Sequence, residues 1–352
     1  MKILSIIGAR PQFIKAVVVS LSIRQVYHEI LLHTGQHYDP NLSEIFFNEL
    51  GIPQPDIHLN IGSGSHAEQT GRMLIEIEKA IMNYSPDWVL VYGDTNSTIA
   101  GALAAAKLHV PIAHVEAGLR SFNREMPEEI NRVVCDHLSD ILFCPTEAAV
   151  NNLQREGITK NVFLVGDVMA DTFQLFGKAA KEKSEILSKL NLQPKKYALA
   201  TIHRQANTDN VERLKSILTA FAQSDMPIVF PIHPRTSKML AAFSLNLPPT
   251  VISIDPIGYL DMLQLELNAD CILTDSGGIQ KEAYWAGVRC ITLREETEWV
   301  ETVELGWNTL VGADSAKIVH AIKTFHPTCE RIPVYGDGHT ADKITNLLSQ
   351  FR

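Results

Sequence analysis

The 352-residue sequence lacks the features of membrane, nucleic-acid-binding and disulfide-rich proteins. Its 40 acidic residues outnumber the 31 lysines and arginines, and the resulting net charge of −9 disfavours nucleic acid or an anionic membrane surface as the main partner. No apolar run approaches a membrane span, and no N-terminal secretory signal is visible. The five cysteines are scattered without a CxxC pair, as in proteins whose thiols stay reduced. We therefore expect a cytoplasmic protein.

Signatures of common cofactors and metals are also missing. Neither a GxGxxG nor a Walker sequence occurs, and the glycine-rich run 62–65 does not follow a Rossmann-type strand, so a dinucleotide cofactor is disfavoured. There is no HExxH sequence. His33 and His37 are four residues apart, but they flank a glycine in a predicted loop and do not share a helical face. We expect no metal site.

Short apolar runs rich in β-branched residues alternate with amphipathic stretches along the whole chain. Near-continuous apolar strands that alternate with helices are typical of parallel sheets covered on both faces. A polar, lysine-rich segment from Lys178 to Lys196 separates two such series. The pattern predicts an α/β fold with two doubly wound, Rossmann-like domains facing a cleft, at residues 1–167 and 168–340.

The segment Thr274–Glu282, Thr-Asp-Ser-Gly-Gly-Ile-Gln-Lys-Glu, follows a predicted strand and begins a predicted helix. Backbone N–H groups and the positive end of the helix dipole at such a turn favour an anion, and Gly277 and Gly278 allow it to approach closely. Glu282, one turn later, is placed to hold sugar hydroxyls. The segment therefore suggests a nucleotide or nucleotide-sugar ligand. The alternative is a helix capped by Ser276 after a tight turn.

Cationic side chains follow other predicted strands, where ligands bind in doubly wound sheets. In the first domain, Arg10 and Lys15 follow strand 1 and suit a phosphate or a sugar. In the second domain, three cation-rich strand ends accompany the Ser-Gly-Gly turn, so a diphosphate pocket is predicted. These strand ends contribute His203 with Arg204, His233 with Arg235, and Arg294.

Three carboxylates converge at the corresponding edge of the first domain. Asp94 and Glu116 follow two predicted strands, and Glu128 lies at the start of a predicted helix. Clustered carboxylates raise one another's pKa, which is how a carboxyl group becomes a proton donor near neutral pH. We interpret them as acid–base groups. Asp94 and Glu128 have an alternative role as helix-start residues favoured by the dipole, whereas Glu116 has no evident capping role.

Together these motifs resemble the non-hydrolysing UDP-N-acetylglucosamine 2-epimerase family over almost the full chain. Long and distinctive motifs carry the resemblance, so chance agreement is implausible. They are Gly8-Ala9-Arg10-Pro11 with Lys15, Gln36-His37, Gly93-Asp94-Thr95, His114–Arg120, Pro127–Glu129 with Asn131-Arg132, His203-Arg204, Thr274–Gln280 with Glu282, Arg294, and Tyr335–Gly338.

The resemblance implies the glycosyltransferase-B fold, a homodimer, and inversion at C2 of a UDP-sugar without a nicotinamide cofactor or a catalytic metal. It implies that UDP is eliminated to give a 2-acetamidoglucal and then added back. Glu282 would hold the ribose, and His203 would serve both binding and catalysis beside Asp94, Glu116 and Glu128. A C-terminal helix at about 341–352 would cross back onto the first domain. The cradle for departing UDP would consist of Arg10, His203, Ser276, Gly277, Gly278 and Arg294.

Two features leave the substrate and its regulation open. Trp299-Val300-Glu301 replaces the usual Arg-Pro-Glu, and Gly166-Asp167 replaces Gly-Asn. Both changes resemble the branch that acts on UDP-2,3-diacetamido-2,3-dideoxyglucuronate. Some bacterial members bind a second UDP-N-acetylglucosamine through the pair that is here Gln36-His37; the alternative is that this pair only orders its loop.

Two other functions would use a similar UDP pocket. A glycosyltransferase normally needs an acceptor groove and fewer acid–base groups, and a non-catalytic UDP-sugar sensor has no need of three carboxylates. The carboxylates Asp94, Glu116 and Glu128 therefore favour the epimerase.

Overall fold

The computed structural model describes residues 1–36 and 53–351, without the side chain of Arg10. The chain divides into two compact units. The first unit comprises Met1–Leu175 and Pro333–Arg352, and the second comprises Phe176–Ile332. Whether these units are independent domains, and where the boundary between them falls, stays a prediction.

The first unit is built on a seven-stranded sheet in the order β3-β2-β1-β4-β5-β6-β7, with every neighbouring pair parallel. The central strands consist almost entirely of buried apolar residues, as a parallel sheet covered on both faces requires. The strands are β1 (Lys2–Ile7), β2 (His28–His33), β3 (Ile57–His58), β4 (Trp88–Tyr92), β5 (Ile112–Val115), β6 (Ile141–Cys144) and β7 (Val162–Leu164).

Helices connect these strands and cover the sheet. The helices are α1 (Arg10–Ile23), α2 (His66–Tyr84), α3 (Asn96–Lys107), α4 (Pro127–Leu138), α5 (Glu147–Arg155) and α6 (Val168–Lys183), whose range includes the boundary between the units. Thr95 caps α3, and a Cβ on Gly101 would lie 2.7 Å from Ile6 Cδ1. Small residues therefore let α3 pack closely on the central strands.

The C-terminal segment belongs to the first unit. Helix α15 (Thr340–Leu348), followed by a 3-10 turn at Ser349–Phe351, packs against α1. The Ser22 hydroxyl donates to Asp342 at 2.9 Å and accepts from Thr345 at 2.9 Å. These bonds tie the end of the chain to its first helix.

The second unit contains a six-stranded parallel sheet in the order β10-β9-β8-β11-β12-β13. Its strands are β8 (Ala198–Thr201), β9 (Ile228–Pro231), β10 (Val251–Ile254), β11 (Cys271–Thr274), β12 (Arg289–Thr292) and β13 (Asn308–Leu310). Its helices are α7 (Ile186–Lys189), α8 (Gln205–Thr208), α9 (Val211–Ala222), α10 (Pro234–Ala242), α11 (Tyr259–Asn268), α12 (Gly277–Ala286), α13 (Val300–Glu304) and α14 (Ser315–Thr324).

Both sheets confirm the predicted α/β class with two parallel sheets. In each sheet the strand order reverses once, between β1 and β4 in the first unit and between β8 and β11 in the second. The carboxyl ends of the strands at such a reversal are where open α/β sheets bind ligands. Over residues 1–36 and 53–351, no helix is both long and apolar enough to cross a membrane.

Candidate active site

The side chain of Gln12 stabilises the turn between β1 and α1 by hydrogen bonds. Its Oε1 accepts from the N–H groups of Gly8 and Ala9, at 2.8 and 3.0 Å, and its Nε2 donates to Tyr92 O at 2.9 Å. A Cβ on Gly8 would lie 2.0 Å from Thr34 Oγ1, so only glycine fits there. Arg10 begins α1, and its side chain lies outside the described residues. Gln12 was missed as a site residue, although a glutamine three residues after a helix N-cap is a recognisable signal.

Lys15 and Glu116, both predicted site residues, form a buried ion pair. Lys15 Nζ lies 2.5 Å from Glu116 Oε1, and the two residues are 7% and 8% exposed. Glu116 has φ of +70°, a left-handed conformation that is strained for a residue with a side chain. A Cβ on Gly93 would lie 3.0 Å from Lys15 Nζ and 3.4 Å from Glu116 Oε1. The pair therefore lies directly over the glycine that follows β4.

Asp94, the next residue, pairs with Arg132 of α4. Arg132 also contacts Glu129 Oε2 at 3.2 Å, and Asn131 Nδ2 donates to Asp94 O at 2.9 Å. Both the side chain and the backbone of Asp94 are therefore tied to α4. Arg132 and Asn131 belong to a motif noted in the sequence, but they had no predicted role.

Glu128 and Glu129 are adjacent in the first turn of α4 and differ in their surroundings. Glu129 is buried and accepts from Ser121 N at 2.9 Å and from Phe122 N at 3.0 Å, so it orders the preceding loop. Glu128 is half-buried. The first unit thus places the three predicted carboxylates at the ends of β4 and β5 and at the start of α4.

In the second unit, the buried carboxylate of Asp275 organises the ends of β8 and β11. It accepts from His203 N at 3.0 Å, from Arg204 N at 3.1 Å and from Asn207 Nδ2 at 3.0 Å. The ring of His203 lies 5.6 Å from that of His233. The structure therefore brings together the ends of β8 and β11, which the sequence predicted as ligand-binding positions. It does so through Asp275, which the sequence reasoning did not single out.

The N-terminus of α12 has Ser276 as its N-cap residue, but the serine side chain makes no capping hydrogen bond. This observation disfavours the alternative of a simple serine-capped helix. A Cβ on Gly277 would lie 2.5 Å from Glu298 Oε1. Glu298 is paired with two predicted anion-binding cations, Arg294 Nη2 at 3.0 Å and Arg204 Nη2 at 3.8 Å. The guanidinium groups of Arg294 and Arg204 and the start of α12 thus all lie next to the carboxylate of Glu298. Sequence reasoning did not predict this arrangement.

Glu282 and Lys281 lie farther along α12. Glu282 is buried and accepts from the Tyr259 hydroxyl at 2.8 Å. Lys281 Nζ lies 3.6 Å from the centre of the Trp299 ring, a cation–π contact that joins α12 to the loop after β12. Gly278 is the second residue of α12.

In the described part of the chain, no group of three or more His, Cys, Asp or Glu residues is arranged to hold a metal ion.

Gln36, predicted as a possible allosteric residue, contacts the start of α3. Its Oε1 accepts from Ser97 N at 3.1 Å and from Ser97 Oγ at 2.7 Å. These bonds give Gln36 a structural role in the first unit. Its predicted partner His37 lies outside the described residues.

Comparisons with known proteins agree with these motifs. A sequence model described as UDP-N-acetylglucosamine 2-epimerase matches residues 20–349. The chain belongs to the UDP-N-acetylglucosamine 2-epimerase family. The family prediction made from the sequence motifs is therefore confirmed.

Individual members of the epimerase family match over their full length. A UDP-N-acetylglucosamine 2-epimerase homolog of Methanococcus maripaludis is 55% identical, with 99% of each chain covered. The UDP-2,3-diacetamido-2,3-dideoxy-D-glucuronate 2-epimerase of Pseudomonas aeruginosa is 50% identical, covering 99% of this chain and 100% of the relative. The crystal structure of the Methanocaldococcus jannaschii UDP-GlcNAc 2-epimerase in complex with UDP-GlcNAc and UDP is 46% identical, with a TM-score of 0.95 over 99% of this chain and 100% of that one.

Proposed function

We propose that the protein is a non-hydrolysing 2-epimerase that interconverts UDP-N-acetylglucosamine and UDP-N-acetylmannosamine for surface polysaccharide precursors. The observation that carries the proposal is the cluster at the ends of β4 and β5. There, buried Glu116 pairs with Lys15 over Gly93, and the neighbouring Asp94 pairs with Arg132. Two carboxylates, each with a basic partner, suit proton removal and delivery at one carbon atom.

The proposed chemistry needs no change in oxidation state. A carboxylate removes the C2 proton while the bond from C1 to the UDP oxygen breaks, which leaves a C1=C2 double bond and the UDP anion. Protonation of the other face of C2 and attack of the UDP oxygen on C1 then give the epimer. Cationic and N–H groups stabilise the departing anion, and residues of the second unit supply candidates for this role. They are His203, Arg204, His233, Ser276, Gly277, Gly278 and Arg294, with Glu282 for the ribose.

Proton NMR of UDP-N-acetylglucosamine in deuterated water tests the proposal. An epimerase replaces the C2 proton with deuterium and forms the second epimer without any acceptor. Glu116→Gln serves as the control for adventitious exchange. If the C2 proton stays in place and no epimer forms, the protein is not an epimerase of this sugar, and a glycosyltransferase or a UDP-sugar sensor becomes the better hypothesis.

A second substrate is supported by the comparisons. The P. aeruginosa epimerase of the diacetamido-uronate is 50% identical to this chain, whereas UDP-N-acetylglucosamine 2-epimerases of M. jannaschii and M. maripaludis are 46% and 45% identical. Trp299, where the sequence departs from the usual family motif, contacts buried Lys281. We therefore include UDP-2,3-diacetamido-2,3-dideoxyglucuronate as the alternative substrate. The same NMR experiment with each sugar, compared through kcat/KM, decides between them.

We also propose a cytoplasmic homodimer, as the family resemblance suggests. Light scattering of the purified protein would measure a mass of two chains. A monomer at working concentration would contradict the proposed assembly without affecting the proposed chemistry.

A further inference from the structure

A fully buried histidine lies two residues before Glu116. His114 is 0% exposed on β5. Its Nδ1 lies 2.8 Å from Asp136 Oδ1, and its Nε2 lies 2.8 Å from the carbonyl oxygen of Gly93. Each ring nitrogen is thus within hydrogen-bond distance of one oxygen.

Both of these oxygens are acceptors. A backbone carbonyl carries no proton, and an ionised carboxylate only accepts. The other oxygen of Asp136 already accepts from Gly118 N at 3.1 Å and from Arg120 Nη1 at 2.7 Å. Since neither partner has a proton to give, both nitrogens of His114 must donate, which makes the ring an imidazolium.

The charges around the ring support this assignment. Arg120 forms two parallel bonds with Glu156, at 2.8 and 2.7 Å, in addition to its contact with Asp136. With a cationic His114 the cluster contains two positive and two negative side chains. With a neutral ring, Arg120 would be the single cation shared by buried Asp136 and the partly exposed Glu156, so Asp136 would lose one of its two positive partners. The nearby thiols of Cys135 and Cys144 supply no charge, because burial and Asp136 raise the pKa of both.

We propose that His114 is a buried imidazolium that positions the backbone of the acid–base residues. Its Nε2–H fixes the carbonyl of Gly93, and hence the planar peptide that leads to Asp94. Through Asp136 the same cluster fixes Gly118 N–H, two residues beyond Glu116. The cluster thus holds the chain segments that carry Asp94 and Glu116, two of the three proposed catalytic carboxylates. The catalytic part of this inference rests on the proposed function.

The protonation state can be measured directly on the wild-type protein. In protein with ¹⁵N-labelled histidine at about pH 7, we expect both ring nitrogens of His114 to be bonded to hydrogen, because each faces an acceptor oxygen. An unprotonated nitrogen on His114 at pH 7 would overturn the inference. Asp136→Asn, whose amide can donate, should convert His114 to a ring with one proton.

A kinetic measurement tests the positioning role. His114→Gln should lower turnover by about 100-fold, the scale expected for a misplacement of catalytic groups of about 1 Å. UDP should still bind as in wild type, because His114 bonds to Asp136 and Gly93, neither of which is a candidate UDP residue, and most candidate UDP residues lie in the second unit. His137→Gln, an exposed change on α4, is the matched control and should leave turnover unchanged. Wild-type turnover in a folded His114→Gln protein would overturn the positioning role. If the wild-type protein exchanges no C2 proton, the proposed function is wrong. The NMR measurement still tests the protonation state of His114, because it does not depend on the reaction.

Discussion

At the scale of single residues, the carboxylates that follow β4 and β5 each have a basic partner from a helix. Lys15 of α1 neutralises Glu116, and Arg132 of α4 neutralises Asp94. An amide substitution keeps the shape of the side chain and removes its acid–base function, but it also removes the negative charge and leaves the basic partner uncompensated. Turnover and urea stability of each amide variant should therefore be measured together, so that loss of the acid–base group is separated from loss of the ion pair.

We expect Asp94→Asn, Glu116→Gln and Glu128→Gln each to lower turnover by at least about 100-fold, the usual contribution of an acid–base group. UDP binding, measured by calorimetry, should persist, since all the proposed UDP residues except Arg10 and Lys15 belong to the second unit. Glu125→Gln changes an exposed carboxylate just before α4 and should behave as wild type. Near-normal turnover in all three variants would remove the acid–base assignment.

The sequence was sufficient to predict Lys15, Asp94 and Glu116 as candidates, because each follows a strand of recognisable pattern. It did not predict their partners. Arg132 meets Asp94 from 38 positions away, and the buried carboxylate of Asp275 contacts backbone groups more than 70 positions away. Such pairings depend on packing of the sheets and helices. No local pattern encodes them.

At the scale of elements, the start of α12 depends on a glycine. A Cβ at Gly277 would lie 2.5 Å from Glu298 Oε1 and 3.0 Å from Trp299 Nε1. The loop after β12 is fixed in turn, because the Thr297 hydroxyl donates to Gln280 Oε1 at 2.7 Å and Lys281 lies over Trp299. The loop therefore has little freedom to move away from an added methyl group.

We expect Gly277→Ala to destabilise the protein by about 1–3 kcal/mol, the usual cost of overpacking, and to weaken UDP binding. Gly71→Ala in α2 is the matched control. No atom lies within 4 Å of its added Cβ, so it should stabilise the helix by up to about 1 kcal/mol. Urea denaturation and UDP calorimetry measure both variants. UDP affinity and stability equal to wild type in Gly277→Ala would show that the loop yields and that this contact does not shape the site.

The longer elements were also predictable from sequence. Apolar runs mark β1, β4 and β11, and amphipathic stretches mark α2 and α3. The short elements were not: β3 has two residues, β13 reads Asn-Thr-Leu, and α8 has only four residues. These segments are too short to show a hydrophobic period, and their conformations depend on pairing with elements already in place.

At the scale of the whole molecule, each unit has its own sheet and its own buried core. Each unit contains two buried cysteines whose reactivity can be measured: Cys135 and Cys144 in the first unit, and Cys271 and Cys290 in the second. Cys329 is exposed. Alkylation or disulfide exchange requires a thiolate that reagent can reach.

Only one thiol should therefore react in the native protein. Burial raises the pKa of Cys135 and Cys144, and it raises the pKa of Cys271 and Cys290 to about 12, so at pH 8 almost none of the four is a thiolate. Ellman's reagent should detect one thiol in native protein, none in Cys329→Ser and five in urea. In rising urea, mass spectrometry of alkylated peptides should show whether the cysteines of each unit become reactive together.

If UDP binds the second unit as proposed, saturation at about 100 times its Kd should protect Cys271 and Cys290 against alkylation in urea by up to about 2.7 kcal/mol. Rapid reaction of two or more thiols without urea, or no protection of Cys271 and Cys290 by bound UDP, would contradict these expectations.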